Sequence, residues 1–296
     1  MKIGIDLGGS HIGVALIGLG GEIKDSKEKE LEAKDKKKEI IQAYILEMVQ
    51  TLLEENEIQK SSVSRIGLAL PGIVKEKKAM QLWNLKIEAL ENTFLQEAYP
   101  RANIVMRNDA DAAALAEKRY GALELYENAL FLCLGTGIGG GYIYQGKLTF
   151  ENAFEPGHMS IQKEGKRCNC GNIGCFETYA SMKQFKQKVM NVLELDANTS
   201  SKELLAFLKT TKENPLVKHV IEEYIKNLSV GIGNLCNSLA IEAVCLGGSF
   251  VHFESLLLPA LKKELKQGNY IFNNEKMPEI FIAKLGNSAG MLGAAL

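Results

Sequence analysis

The residues best equipped for chemistry lie between Glu155 and Glu177. Cys168, Cys170 and Cys175 fall within eight residues, and His158 stands ten residues before the first of them. Thiolate and imidazole are preferred zinc ligands, and a closed set of four marks a structural site. Gly171 and Gly174 let the backbone turn tightly between the sulfurs. A disulfide would leave one cysteine unpaired and would need an oxidising compartment. A loop of buried free thiols is the plainer alternative. Glu155 and Glu177 flank the set. They are either solvated loop charges or, on a loop pinned by metal, rigid acceptors for the hydroxyls of a polar ligand.

A second pattern sits at strand ends. The apolar run Lys2 to Asp6 breaks at Gly8-Gly9, Ser10 follows, and a second apolar run covers Ile12 to Leu19. An Asp at a strand end, then glycines and a hydroxyl, lets backbone N–H groups approach a phosphate. An ordinary hairpin turn also favours glycine. The unit recurs: Ala129 to Leu134 leads into Gly135-Thr136-Gly137 and Gly139 to Gly141, then Tyr142 to Tyr144. Two copies about 130 residues apart are too far separated for a solenoid and point to a duplicated α/β domain. Glycine–hydroxyl hairpins on either side of a cleft could hold a polyphosphate between them.

Two further strand ends carry candidates. Ala243 to Leu246 ends in Gly247-Gly248-Ser249, which either lets a flat nucleoside lie against the backbone or is a plain strand-to-helix turn. Ala102 to Met106 ends in Arg107-Asn108-Asp109, ahead of a helix over Ala110 to Tyr120 stopped at Gly121. Asn108 and Asp109 are either an N-cap or polar groups aimed into the crevice where open α/β sheets bind ligands.

The elements that must position these residues follow from periodicity. Ile40, Ile41, Tyr44, Ile45, Met48, Val49, Leu52 and Leu53 have helical spacing, predicting a helix over Lys36 to Asn56. Arg65 to Leu70 reads as a strand stopped by Pro71-Gly72, and Trp83-Asn84-Leu85 sits in a polar stretch after it. Trp83 either packs or lies at the cleft rim. Thr178 to about Leu208 looks helical, and Asn214-Pro215 opens a long helix to Leu239. Helix Phe253 to Lys266, strand Ile280 to Ala283 and helix Ser288 to Leu296 follow.

Composition sets bounds. With 296 residues, 46% hydrophobic and 24% charged, the chain reads as an ordinary globular protein of one large or two modest domains. A net charge of −1 gives no broad attraction to nucleic acid or membrane. No apolar run reaches the about 20 residues a membrane helix needs. Met1-Lys2 leads straight into the first strand, so no signal peptide is expected. Cys133, Cys236 and Cys245 lie in apolar segments and read as buried thiols. A reducing cytoplasm is the expected setting.

With these motifs in hand, the chain resembles the ROK family of sugar kinases, within the actin-like ATPase superfold, over nearly its whole length. The resemblance rests on Asp6-Leu-Gly-Gly-Ser10, Leu70-Pro71-Gly72, Asn108-Asp109, Leu134 to Gly141, Glu155-Pro-Gly-His158, the cysteine loop with Glu177, and Leu246-Gly-Gly248. It implies an α/β fold of two actin-like (ribonuclease H-like) domains facing across a cleft: residues 1–120, completed by a helix at 287–296, and residues 121–286 with the zinc loop. It implies that Asp109 accepts the proton of the attacking sugar hydroxyl. Asn108, Glu155, His158 and Glu177 would hold sugar hydroxyls, His158 also ligating a structural zinc with Cys168, Cys170 and Cys175. Gly8, Gly9, Ser10, Gly135, Thr136 and Gly137 would surround the phosphates of Mg-ATP, with Asp6 near Mg²⁺ and Gly247 and Gly248 against the nucleoside.

It further implies a cytoplasmic homodimer acting on a small sugar, without nucleic-acid or membrane partners. Three departures stand out. Ser10 replaces the usual Thr; Asn152-Ala153-Phe154 lacks the small residues common before Glu155 in glucokinases; and Ser288 stands where Asp is frequent, away from the expected chemistry. The implied activity is ATP-dependent phosphorylation of a hexose, glucose at its 6-hydroxyl first. The same motifs serve kinases for fructose, mannose, allose, N-acetylmannosamine and β-glucosides. Repressors of the family carry a helix-turn-helix ahead of this region, for which a phosphate strand starting at residue 3 leaves no room. A sugar-binding, non-catalytic regulator is the remaining alternative.

Overall fold

The computed structural model describes residues 1–75, 77–211, 213–268 and 277–296, and the backbone but not the side chain of Trp83. Two compact units form: Met1–Glu124 with Leu148–Ala153 and Leu285–Leu296, and Leu125–Lys147 with Phe154–Lys284.

In the first unit, β1 (Lys2–Leu7), β2 (His11–Ile17) and β3 (Ile23–Glu30) form an antiparallel meander. Helix α1 (Lys38–Glu55) leads to β4 (Arg65–Leu70), which lies parallel to β1. A small antiparallel sheet of β5 (Ile73–Lys75), β6 (Lys78–Leu82) and β7 (Ile87–Glu91) follows, then α2 (Thr93–Ala98). Next come β8 (Asn103–Asn108), parallel to β4, and α3 (Asp109–Tyr120). The large sheet has the order β3-β2-β1-β4-β8. Strands β1, β2 and β4 are buried almost throughout, as continuous apolar runs in a covered sheet should be. Helix α1 buries Ile41, Ile45, Met48, Val49, Leu52 and Leu53, the stripe its periodicity predicts. Strand β3, Ile-Lys-Asp-Ser-Lys-Glu-Lys-Glu, was not expected. Its charges alternate half-buried and exposed along the sheet edge, where they discourage pairing with another chain.

In the second unit, β9 (Ala129–Leu134) and β10 (Ile138–Tyr144) open the sheet, and β11 (Lys147–Thr149), of which only Lys147 falls within this unit, pairs at its edge. Helices α4 (Glu177–Ala180), α5 (Met182–Val192), α6 (Ser201–Thr211) and α7 (Pro215–Ser238) precede β12 (Ala243–Gly247), α8 (Glu254–Gln267) and β13 (Glu279–Ile282). The order is β11-β10-β9-β12-β13, with β9 antiparallel to β10 and parallel to β12. Both large sheets thus share one order and one set of strand directions, and the repeat seen between Ile5–Ser10 and Cys133–Gly137 is the trace of a duplicated topology. The segment from Thr178 to about Leu208, expected to be helical, forms three helices. Ser181 caps α5 by accepting the Gln184 N–H. A turn at Asp196–Thr199 and reciprocal bonds between Ser200 and Glu203 start α6 afresh.

Helix α9 (Ser288–Ala294) returns to the first unit. It lies so close to the sheet that a Cβ on Gly67 would stand 1.8 Å from the Ala294 carbonyl oxygen and one on Gly4 1.9 Å from that of Met291. Arg107 donates to the Ala294 carbonyl at 3.2 Å, and Arg65 donates to that of Leu296. Residues Leu148–Ala153, expected in the second domain, also belong to the first unit. Glu151 pairs with Arg107 at 2.7 Å, and Asn152 accepts the Asn108 N–H at 2.8 Å. No described helix is long and apolar enough to cross a membrane.

The α9 seam gives a stability test. A methyl at Gly67 meets backbone, which cannot rotate away, so Gly67→Ala is expected to lower unfolding free energy by about 1–3 kcal/mol. Urea denaturation measures it, and a midpoint equal to that of the parent would show that the seam tolerates the added volume.

Candidate functional site

The first unit assembles its candidate residues at the carboxyl ends of parallel strands. Asp6 stands near the end of β1. The hairpin after it closes when the Gly8 N–H donates to the His11 carbonyl at 2.9 Å. Both glycines of this loop are closely approached: a Cβ on Gly8 would lie 2.6 Å from the His11 ring, and one on Gly9 2.8 Å from Asn84 Cβ. The Asp6 carboxylate is largely buried, with His11 Nε2 4.0 Å away. Gly290 of α9 packs over it, since a Cβ there would meet Asp6 Oδ2 at 2.2 Å. Burial, then the charges of Asp109 and Glu28, push Asp6 up to about 7. The stretch around Ser288, expected to lie away from the chemistry, therefore leads directly into the helix that seats Asp6.

The N-cap reading of Asn108-Asp109 holds for Asn108. Asn108 is the N-cap of α3: its Oδ1 accepts from the Ala110 N–H at 2.9 Å and the Asp111 N–H at 3.4 Å. Its Nδ2 donates to the Gly72 carbonyl at 3.2 Å, leaving one amide hydrogen for a ligand. Asp109 is the first residue of α3 and accepts the Ala110 N–H on Oδ1 at 2.8 Å. Burial raises Asp109 above the ordinary carboxylate range, and the backbone N–H bonds of Ala110 and Asp109 itself offset part of the rise. The cause is the desolvated start of α3.

The second unit gathers the remaining candidates around β9 and β10. The Gly135 N–H donates to the Gly137 carbonyl at 3.0 Å, closing a tight loop. A Cβ on Gly135 would meet nothing within 4 Å, whereas one on Gly137 would lie 2.5 Å from Glu177 Oε2. Gly248 has φ +69°, and a Cβ there would lie 2.6 Å from the Leu134 carbonyl. The close approach of β9 and β12 alone requires that glycine. Gly247 packs on Phe131. The Pro156–His158 turn sits on β10, where Gly157 would meet the Ile138 carbonyl at 2.1 Å with any side chain. Glu155, just before the turn, is exposed.

His158, Cys168, Cys170 and Cys175 come together as the spacing predicts. All their ligand atoms lie within 4.8 Å of one another. Cys168 Sγ is 3.7 Å from His158 Nδ1, and Cys170 Sγ is 3.7 Å from Cys175 Sγ. A tetrahedral zinc with bonds near 2.3 Å needs ligand–ligand edges of about 3.8 Å, so the set fits the ion. Every cysteine is a free thiol. Burial pushes Cys168 and Cys175 above the usual thiol range, so a metal-free cluster would hold protons that a dication displaces. Phe176, between Cys175 and Glu177, is fully buried against Gly231 of α7 and anchors the loop.

Glu177 links this cluster to the glycine loop. Its Oε1 lies 3.2 Å from Cys168 Sγ and 3.9 Å from His158 Nδ1, while its Oε2 accepts the Ile138 N–H at 3.4 Å. Four residues with a part in the arrangement were not foreseen: His11, Asn84, Asn152 and Gly290. Only His11 has a local signal, since it immediately follows the Gly8–Ser10 loop.

A family model described as "ROK family" matches residues 2–296. The chain is 28% identical to a glucokinase of Halalkalibacterium halodurans over 98% of its own length and 92% of that protein. It is 26% identical to the xylose repressor of Bacillus subtilis over 99% of its length and 75% of that protein. The crystal structure of a ROK family glucokinase from Streptomyces griseus in complex with glucose and AMPPNP superposes with a TM-score of 0.80 at 24% identity, covering 99% of this chain and 97% of that one. Such neighbours share the actin-like two-domain fold.

The carboxylate pair has a pH signature. Folding raises Asp6 from 3.8 to about 7. Between those values the folded state keeps a proton that the unfolded state has lost, so this group makes stability fall as pH rises through the window. Without ligand, Asp6→Asn should raise the thermal midpoint over the parent by about 2 °C or more near pH 8, and by less near pH 5. Scanning both proteins at both pH values tests this; an equal difference at the two would remove the assigned shift.

Proposed function

Because the chain belongs to the ROK family, we propose that it is an ATP-dependent hexose kinase, transferring the γ-phosphoryl group to a sugar hydroxyl, with the 6-hydroxyl of glucose as first choice. The observation that carries this reading is the carboxylate pair. Burial raises both Asp109 and Asp6, and the charge of Asp109 adds to the rise in Asp6. Such a pair is a liability in a module that only binds sugar. It is useful where one carboxylate takes a proton and the other faces a divalent cation.

Asp109 is then the base. A hexose hydroxyl is scarcely ionised near neutral pH, so its proton must move to an acceptor as the bond to phosphorus forms. A carboxylate raised above the ordinary range is a better acceptor, provided it is still ionised at the working pH. The cap made by Asn108 fixes the start of α3, and with it the position of Asp109. Asn108, Glu155, His158 and Glu177 bind sugar hydroxyls. Gly8, Gly9, Ser10, Gly135, Thr136 and Gly137 receive the phosphates, and Gly247 and Gly248 lie against the nucleoside. Mg²⁺ bound with ATP supplies neutralisation of phosphate charge, and Asp6 faces it. Zinc held by His158, Cys168, Cys170 and Cys175 supplies rigidity to the loop ending in Glu177. The enzyme works as a homodimer in the cytoplasm. Fructose, mannose, allose, N-acetylmannosamine and β-glucosides are the alternative acceptors.

The likeness to xylose repressors supports a second reading, a sugar-binding regulator without turnover. Coupled ADP release with Mg-ATP against a panel of hexoses and β-glucosides separates the two, because a regulator binds sugar and releases no ADP. Asp109→Asn keeps the size of the side chain and leaves the Asn108 cap in place. Its kcat should fall by at least about 10²-fold with ATP affinity little changed. Turnover within a few-fold of the parent would transfer the role to Glu155 or Glu177. Metal analysis should give one zinc per chain, lost in Cys170→Ser along with part of the thermal stability; a parent protein free of zinc would remove the metal assignment.

A further inference from the structure

Glu117 is fully buried near the end of α3, about 12 Å along the helix from Asp109. A glutamate so deep in a protein needs partners, and Glu117 takes four backbone N–H groups. Its carbonyl accepts from Gly121 at 3.1 Å and from Leu123 at 3.0 Å. Its carboxylate takes the other two: Oε2 accepts the Ala122 N–H at 2.7 Å, and Oε1 accepts the Leu285 N–H at 2.9 Å. The side chain folds back over Gly121, where a Cβ would stand 2.0 Å from Oε2.

Three of these bonds are local and close the end of the helix. The fourth is not. Leu285 lies 168 residues away in the chain, at the point where the chain re-enters the first unit. It belongs to no helix or strand. Its N–H is nevertheless held by Glu117, and its carbonyl accepts at 3.1 Å from Ser288, the first residue of α9. Gly290, which packs over Asp6, comes two residues later. At the other end of the pair, a Cβ on Gly293 would stand 1.7 Å from the Ala112 carbonyl oxygen. Helices α3 and α9 therefore run antiparallel, joined by backbone contact at one end and by Glu117 at the other. Asp109 heads the first helix, and Asp6 lies under the second. Asp111, also buried in α3, accepts the Asn152 N–H and ties in residues 148–153 in the same way.

The position calls for a carboxylate. Both partners of the side chain are donors, and a carboxylate accepts on both oxygens. A glutamine would turn an NH₂ group toward one of them. We propose that Glu117 is a positioning residue: by holding α9 against α3 it sets Asp6 relative to Asp109. Being fully buried, it touches no ligand and acts through the two helices. The proposal rests on the kinase reading for the reaction that it supports.

The test compares the parent with Glu117→Gln and with Val49→Ala. Val49 lies on α1 in an apolar cluster that, among the described residues, contains none from α3 or α9. Activities are measured well below every melting temperature. In the parent, residue-resolved hydrogen exchange should find the Leu285 amide protected although it lies outside regular structure. In Glu117→Gln, exchange over residues 285–296 should quicken by about 10-fold or more, with α1 within about 2-fold of the parent. Its kcat should fall by about 10-fold or more and its sugar KM change by less than about 3-fold, as expected when reacting groups are slightly misplaced. Val49→Ala should melt lower and keep kcat within about 2-fold. An unprotected Leu285 amide in the parent overturns the proposal, even if Glu117→Gln does not fold. Unchanged kcat in Glu117→Gln overturns it as well. So does an equal loss of kcat in Glu117→Gln and Val49→Ala, which would reduce the role to stability alone. If the parent phosphorylates no sugar, the kinase reading falls, while exchange at Leu285 and along α9 still decides whether Glu117 seats that helix.

Discussion

Two half-buried carboxylates, Asp6 and Asp109, set the terms for the first unit. Burial withholds part of the hydration each would have in water, and the charge of Asp109 makes that of Asp6 harder to form. A site of this kind persists only if the surrounding structure holds it in place. Much of the unit does so. Helix α9 closes over Asp6 through Gly290. Asn108 locks the first turn of α3, and Asn152 arrives from residues 148–153 to hold the Asn108 backbone. The parallel strands β1, β4 and β8 place both groups at the same sheet edge, where open α/β sheets keep their ligand sites.

The second unit repeats the strand order with a different purpose for its glycines. The loop at Gly8 and Gly9 is crowded by His11 and Asn84, whereas Gly135 opens onto free space. The thiol–imidazole cluster reaches this loop through Glu177, whose two carboxylate oxygens touch Cys168 on one side and the Ile138 N–H on the other. A metal held by the cluster would thereby also steady the glycine turn, in the way that groups around a metal site orient one another.

Much of this was legible in the sequence, for identifiable reasons. The cysteine cluster depends on ligand type and short spacing, both local. Strands β4 and β9 were legible to the residue because an apolar run ends against glycine or proline. Strand β3 was not, because seven of its eight residues are polar or charged and its role comes from lying beside β2. The small β5–β7 sheet was hidden for a similar reason, its pairing being a matter of tertiary register. Asn152 and Gly290 act at contacts with residues far away in the chain, and no local pattern announces such contacts. The raised state of Asp109 was missed because burial is a property of the fold, not of the Asn-Asp dipeptide.

The return of α9 to the first unit bears on how the protein is made. Domains ordinarily mature as they leave the ribosome, the earliest-made first. Here Ala289, Met291, Leu292 and Ala295 complete an apolar cluster with Ala15, Ile17 and Ala116. All four are translated only after the entire second unit. The half of the molecule that is begun first is therefore the half that is finished last. During translation its sheet carries an uncovered apolar face and an unseated Asp6, so the second unit has the earlier opportunity to fold, and a nascent chain halted before residue 285 would leave the first unit sensitive to protease.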